Sequence, residues 1–99
     1  MTLDPHPWAR ELVTLHAHAW QRLVRGVHDR HAPARHPTLA TVSPDGLPAT
    51  RTVVLRAADP STGRLELHTN LHSAKIADLM ATPVAALHVW DHGSRLQIR

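Results

Sequence analysis

At 99 residues the chain holds one small domain at most, and its 42% hydrophobic content suits a packed core rather than a disordered segment. The absence of cysteine excludes disulfides, thiolate metal sites and thiol nucleophiles. A net charge of +3, with arginines dispersed from Arg10 to Arg99 and no tyrosine or phenylalanine to stack on bases, excludes a nucleic-acid surface. With no apolar run near the roughly 20 residues of a membrane span and no signal-peptide pattern, a soluble cytoplasmic protein is expected.

From Pro5 to Arg30 the pattern predicts one amphipathic helix. Trp8, Leu12, Leu15, Ala19, Leu23 and Val27 recur every three or four residues, and Asp4 before Pro5 supplies a start signal. This stripe serves core packing or subunit contact. The chain's ten histidines invite a metal reading, but their spacing argues against it. His16 and His18 fall on opposite sides of a helix, and His28 and His31 lack a third ligand.

His31 to Pro37 is a loop, and from Thr38 the period becomes strand-like. Thr38–Val42 and Leu47–Arg56 flank Ser43-Pro-Asp-Gly46, a turn that closes a hairpin. Asp59-Pro-Ser-Thr-Gly63 is a second turn, and Arg64–Thr69 a third strand. Ser73–Ala81 is a short helix stopped by Pro83, Val84–Trp90 a fourth strand, and Arg95–Arg99 the opening of a fifth. The pattern ends inside a strand, so the remaining strands are expected from a longer protein or from another polypeptide.

Chemistry concentrates in two segments. Arg51-Thr-Val-Val-Leu-Arg56 is an apolar strand with an arginine at each end, and His68-Thr-Asn-Leu-His-Ser-Ala-Lys75 is a strand-to-helix corner. Thr69, Asn70 and Ser73 are good helix caps. The same corner offers free backbone N–H groups, hydroxyls and the only lysine of the chain, which suits a phosphate ester. Arg51 and Arg56 are five apart and point to opposite faces of an unbroken strand. Each then meets a different part of a ligand, or a bulge re-aims one of them. No Walker or dinucleotide loop, zinc-protease histidine pair or serine elbow is present, and no residue qualifies as an essential acid or base. Any chemistry is therefore expected to rest on a bound cofactor.

Together these segments resemble the pyridoxamine 5′-phosphate oxidase family, the FMN-binding split-barrel flavoproteins, from about Thr38 to Arg99. Leu39-Ala-Thr-Val-Ser-Pro-Asp-Gly46 is similar to the family's first hairpin. Arg51-Thr-Val-Val-Leu-Arg56 is similar to its Arg-x-Val-x-Leu-Lys strand, and His68 to Lys75 to its Tyr-Thr-Asn-x-x-Ser-Arg-Lys corner. Arg95-Leu-Gln-Ile-Arg99 is similar to the strand bearing its flavin-contacting glutamine.

The resemblance implies a mostly β fold with α, an antiparallel split β-barrel of Greek-key type. A long N-terminal helix precedes it, a short helix follows the third strand, and the barrel is incomplete in this chain. Residues 1–37 would form the N-terminal helix and loop, and residues 38–99 a partial FMN-binding split-barrel domain. FMN contacts would come from Arg51, Thr52, Val53, Val54, Leu55, Arg56, His68, Thr69, Ser73, Lys75 and Gln97. A homodimer with flavin at the subunit interface, a small-molecule substrate, and oxidation of an amine or alcohol carbon by hydride transfer to FMN are also implied. A B6 vitamer phosphate is one candidate substrate.

Three positions depart from the family pattern. Arg56 replaces a lysine, Ala74 replaces a phosphate-binding arginine, and His68 replaces a tyrosine. The family's later substrate-binding segments would lie beyond Arg99. These departures leave two alternatives, a flavin-binding module without turnover and a structural remnant without cofactor.

Overall fold

In the computed structural model, which describes residues 6–99, the long N-terminal run is not one helix. Pro7–Arg10 forms a 3₁₀ turn, Glu11 is extended (φ −118°, ψ 136°), and the α-helix α1 spans Leu12–His28. The expected cap at Asp4 and Pro5 lies outside the described residues. Trp8 does not continue the apolar stripe; its ring stacks on His18 at 4.1 Å. Leu12 is also exposed, and burial along α1 is deepest at Leu23 and Gly26.

The end of α1 is closed from the following loop. The Asp29 N–H donates to the Arg25 carbonyl at 2.8 Å, and Arg35 Nη1 donates to the Val27 carbonyl at 2.9 Å. Carbonyls in a last helical turn lack intrahelical donors, so Arg35 fills a real vacancy. Gly26 permits the loop's close approach: a Cβ there would lie 2.5 Å from the Ala34 carbonyl carbon. Gly26→Ala should therefore destabilise the protein by about 1–3 kcal/mol through overpacking, despite a helix-propensity gain of about 1 kcal/mol. Urea unfolding measures the balance. A more stable variant would show that α1 and the loop separate easily.

Strands β1 (Thr38–Val42) and β2 (Pro48–Thr52) pair antiparallel from Thr38↔Thr52 to Val42↔Pro48. Their turn is held by Gly46 N–H to Ser43 O at 2.8 Å and Leu47 N–H to Ser43 Oγ at 3.1 Å, with Gly46 at φ 81°. The expected strand from Leu47 to Arg56 is broken at Val53 and Val54. The Val53 N–H makes the last rung of the β1–β2 register, to the Pro37 carbonyl at 3.0 Å; Pro37 has no N–H to return the bond, the ladder ends, and the chain crosses into a second sheet. There β3 (Leu55–Asp59) pairs with β4 (Arg64–Leu67), the register shifting between Leu55 and Ala57. The hairpin turn is tied by Asp59. Hydrogen bonds from Ser61 and Thr62 hold its carboxyl below the ordinary carboxylate range.

The short helix α2 (Ala74–Ala81) follows β4, so it comes after the fourth strand because the second expected strand is two. Strands β5 (Ala86–Asp91) and β6 (Leu96–Ile98) complete a four-stranded sheet of order β2-β1-β5-β6. Pro48 lies on the edge strand β2, where a missing N–H costs the ladder nothing.

Two helices with six antiparallel strands in two open sheets bear out the mostly β, split-barrel expectation, and the described residues form no closed barrel. The core lies where α1 meets both sheets: Leu23, Ala34, Leu55 and Val89, with Trp20, Val27, Leu65, Leu67 and Ile98 packed around them. Among the described residues no helix is long and apolar enough to cross a membrane.

Candidate functional site

The corner between β4 and α2 is built by local hydrogen bonding. Asn70 Oδ1 accepts the His72 N–H at 2.9 Å, and the Asn70 carbonyl accepts the Ser73 N–H at 3.0 Å. This turn sets Ser73 at the N-cap with extended dihedrals (φ −70°, ψ 151°). Its hydroxyl does not cap the helix; it pairs with Thr69 Oγ1 at 3.2 Å. The Ala74 and Lys75 N–H groups precede the first intrahelical bond and meet no acceptor among the described residues. No acidic side chain occupies the first turn of α2, and half-buried Lys75 has no ion-pair or hydrogen-bond partner among the described residues.

Arg51 is held differently. It lies across the ladder from Leu39, on the sheet face that α2 covers. Its Nη1 donates to Thr41 Oγ1 at 2.7 Å and to the Leu39 carbonyl at 3.3 Å, while Nη2 lies 3.6 Å from Asp78 Oδ2. Thr41 donates to the same Asp78 oxygen at 2.8 Å. Asp78 belongs to α2, three residues after Lys75, so this buried network fastens the helix to β1 and β2. Neither Thr41 nor Asp78 was among the expected site residues. The signals for them are faint: Thr41 shares the inward period of Leu39, and Asp78 has helical spacing from Lys75.

The structure separates the other candidates. Val53 and Leu55 are buried, Leu55 completely, so their side chains belong to the core. Val54 is half-buried between the sheets. Arg56 is exposed at the β3 bulge and, like Lys75, has no partner among the described residues. His68 pairs with Glu66 at 3.0 Å on the surface. Gln97 Oε1 accepts from His88 Nε2 at 2.9 Å. Directly paired residues share a sheet face. Thr38 pairs with both Thr52 and His88, and Trp90 with Gln97, so Thr52, His88, Trp90 and Gln97 share the face opposite Arg51.

This arrangement can bind an anion. Two N–H groups without an acceptor among the described residues and the Thr69–Ser73 hydroxyl pair lie at one helix start whose first turn carries Lys75, a combination that suits the phosphate end of FMN. Residues 7–99 match the family described as pyridoxamine 5′-phosphate oxidase, FMN-binding domain. The chain belongs to this family.

Among relatives of this FMN-binding domain, a pyridoxine/pyridoxamine 5′-phosphate oxidase of Microcystis aeruginosa is 43% identical over 79 residues, covering 80% of this chain and 36% of the relative. Another, of Mycolicibacterium paratuberculosis, is 55% identical over 49 residues, covering 50% of this chain and 21% of the relative. The solved structure of a pyridoxamine 5′-phosphate oxidase-related, FMN binding protein from Nostoc punctiforme PCC 73102 superposes with a TM-score of 0.61. It is 31% identical and covers 98% of this chain and 44% of that protein. The chain thus spans less than half the length of each of these relatives.

Proposed function

We propose that this chain binds FMN with its phosphate at the start of α2, held by the Ala74 and Lys75 N–H groups, the Ser73 and Thr69 hydroxyls and the Lys75 ammonium. The observation that carries the reading is the uncapped first turn of α2 beside a lysine that has no partner among the described residues. Arg56 would add charge from the β3 bulge, and the backbone of residues 52–56, His68 and Gln97 would address the rest of the flavin. When bound, FMN would supply the two-electron acceptor for oxidation of an amine or alcohol carbon, with a B6 vitamer phosphate as candidate substrate. The chain's own part is to hold and orient, since positioned binding rather than an acid or base would supply the rate.

Residues 38–99 form the flavin-binding part in this reading, and residues 1–37 support it. The working form is a cytoplasmic homodimer. An apolar groove of about 630 Å³ between α1 and β6, lined by Leu12, Val13, Leu15, Ala19, Leu96 and Ile98, is the surface that further strands or a second subunit would cover. Closing it would complete the ring pocket and tighten FMN binding.

A flavin-fluorescence titration with FMN and with riboflavin tests the phosphate reading. FMN is expected to bind more tightly than riboflavin. Equal affinities would remove the phosphate corner from the site, and no binding of either would favour the remnant alternative. FMN binding without oxidation of any B6 vitamer would favour the module without turnover.

A further inference from the structure

We propose that Asp78 sets the affinity of the phosphate corner by neutralising Arg51, so that FMN is an exchangeable ligand of this chain rather than a permanently held group. The inference rests on the flavin reading above and concerns how firmly that same site holds its ligand.

Arg51 reaches α2 from β2 at Asp78, one turn along the helix from Lys75, and of these two cations only Lys75 is without a counter-charge among the described residues. The Asp78 side chain is 8% exposed and that of Arg51 24%, with Nη2 and Oδ2 3.6 Å apart. Two of the Arg51 donor bonds are already spent on Thr41 and Leu39. Partial burial keeps the pair less screened by solvent ions than a surface pair. An anion at the start of α2 therefore meets an arginine whose charge is largely cancelled.

It also meets the carboxylate itself. Lys75 and Asp78 are three apart on one helix, a spacing that places side chains on the same face about 5–6 Å apart at Cβ. Ala74, between Ser73 and Lys75, contributes no charge. The corner attracts phosphate through Lys75, helix N–H groups and exposed Arg56, while Asp78 opposes it.

The test compares FMN and riboflavin binding by the unmodified chain, Asp78→Asn, and the double variant Asp78→Asn/Arg51→Met. The asparagine amide oxygen still accepts from Thr41, so the change removes charge while keeping a hydrogen bond. Asp78→Asn should bind FMN roughly tenfold more tightly, the scale of one charge removed at about 8–10 Å in a protein-like dielectric. Riboflavin affinity should stay the same, and the double variant should lose the gain.

Unchanged or weaker FMN binding by Asp78→Asn overturns the inference. So does an equal change for both flavins, which marks Asp78 as purely structural. The unmodified protein gives an independent reading: FMN should be removed by dialysis at raised salt, and stoichiometric retention would overturn exchangeability even if the variants fail to fold. Failure of every folded form to bind either flavin is a separate outcome, and it overturns the flavin reading together with this inference.

Discussion

Leu55→Ala is expected to lower stability by about 2–5 kcal/mol, the range for emptying a buried leucine site. Leu55 is 0% exposed and sits in the cluster where α1, the loop after it and β5 meet the second sheet. The described residues bury few large side chains completely, so little spare packing exists to collapse into the gap. For a domain of this size each kcal/mol lowers Tm by about 4–8 °C, so the variant should melt well over 10 °C lower in the middle of that range. Tryptophan fluorescence follows the transition, because Trp20 packs against the same cluster. The backbone of β3 is untouched by the substitution. If that backbone addresses the flavin, the folded fraction of Leu55→Ala should keep its FMN affinity. A loss of less than about 1 kcal/mol would mean that the two sheets are not joined through this side chain.

Lys75→Ala should weaken FMN binding about tenfold to a hundredfold, the worth of one charge-assisted hydrogen bond of about 1.5–3 kcal/mol. Riboflavin, which lacks the phosphate, should bind equally to both proteins. The apo stability should move by no more than about 0.5 kcal/mol, because Lys75 has no partner among the described residues to lose. Parallel fluorescence titrations and a thermal melt supply all three readings. Equal FMN affinity with and without Lys75 would place the phosphate elsewhere, and with it the corner residues Thr69 and Ser73.

The hairpins and α2 were legible because their signals are local. Gly46 and Gly63 take the positive φ that their turns require, and Pro83 stands just beyond the end of α2. The break at Val53 and Val54 was not legible. Alternation alone continues through Thr52 and Leu55, and what ends the ladder is the missing N–H of Pro37, the residue that faces Val53 across β1 and β2. A period-two pattern carries no mark of which sheet a strand joins. The start of α1 was misread for a related reason. Trp8 and Leu12 keep helical spacing, yet Pro7 starts a 3₁₀ turn and Trp8 finds His18 instead of the core. For the site, Ser73 and Lys75 were readable as a helix start with charge. Arg51 was readable as a cation but not as a committed one, because its partner lies 27 positions away on another element.

The Val53–Val54 joint gives Arg51 and Arg56 different carriers. Arg51 travels with the four-stranded sheet and its attached helix, and Arg56 with the β3–β4 hairpin. Between them runs a crease only two residues wide, with Val53 pinned to Pro37 on one side and Leu55 pinned in the core on the other. The spacing of the two guanidinium groups is thus a gauge of the angle between the sheets. A bound molecule that touches both arginines spans that crease and stiffens it, and a distant wedge such as a methyl group at Gly26 reaches the same gauge through α1.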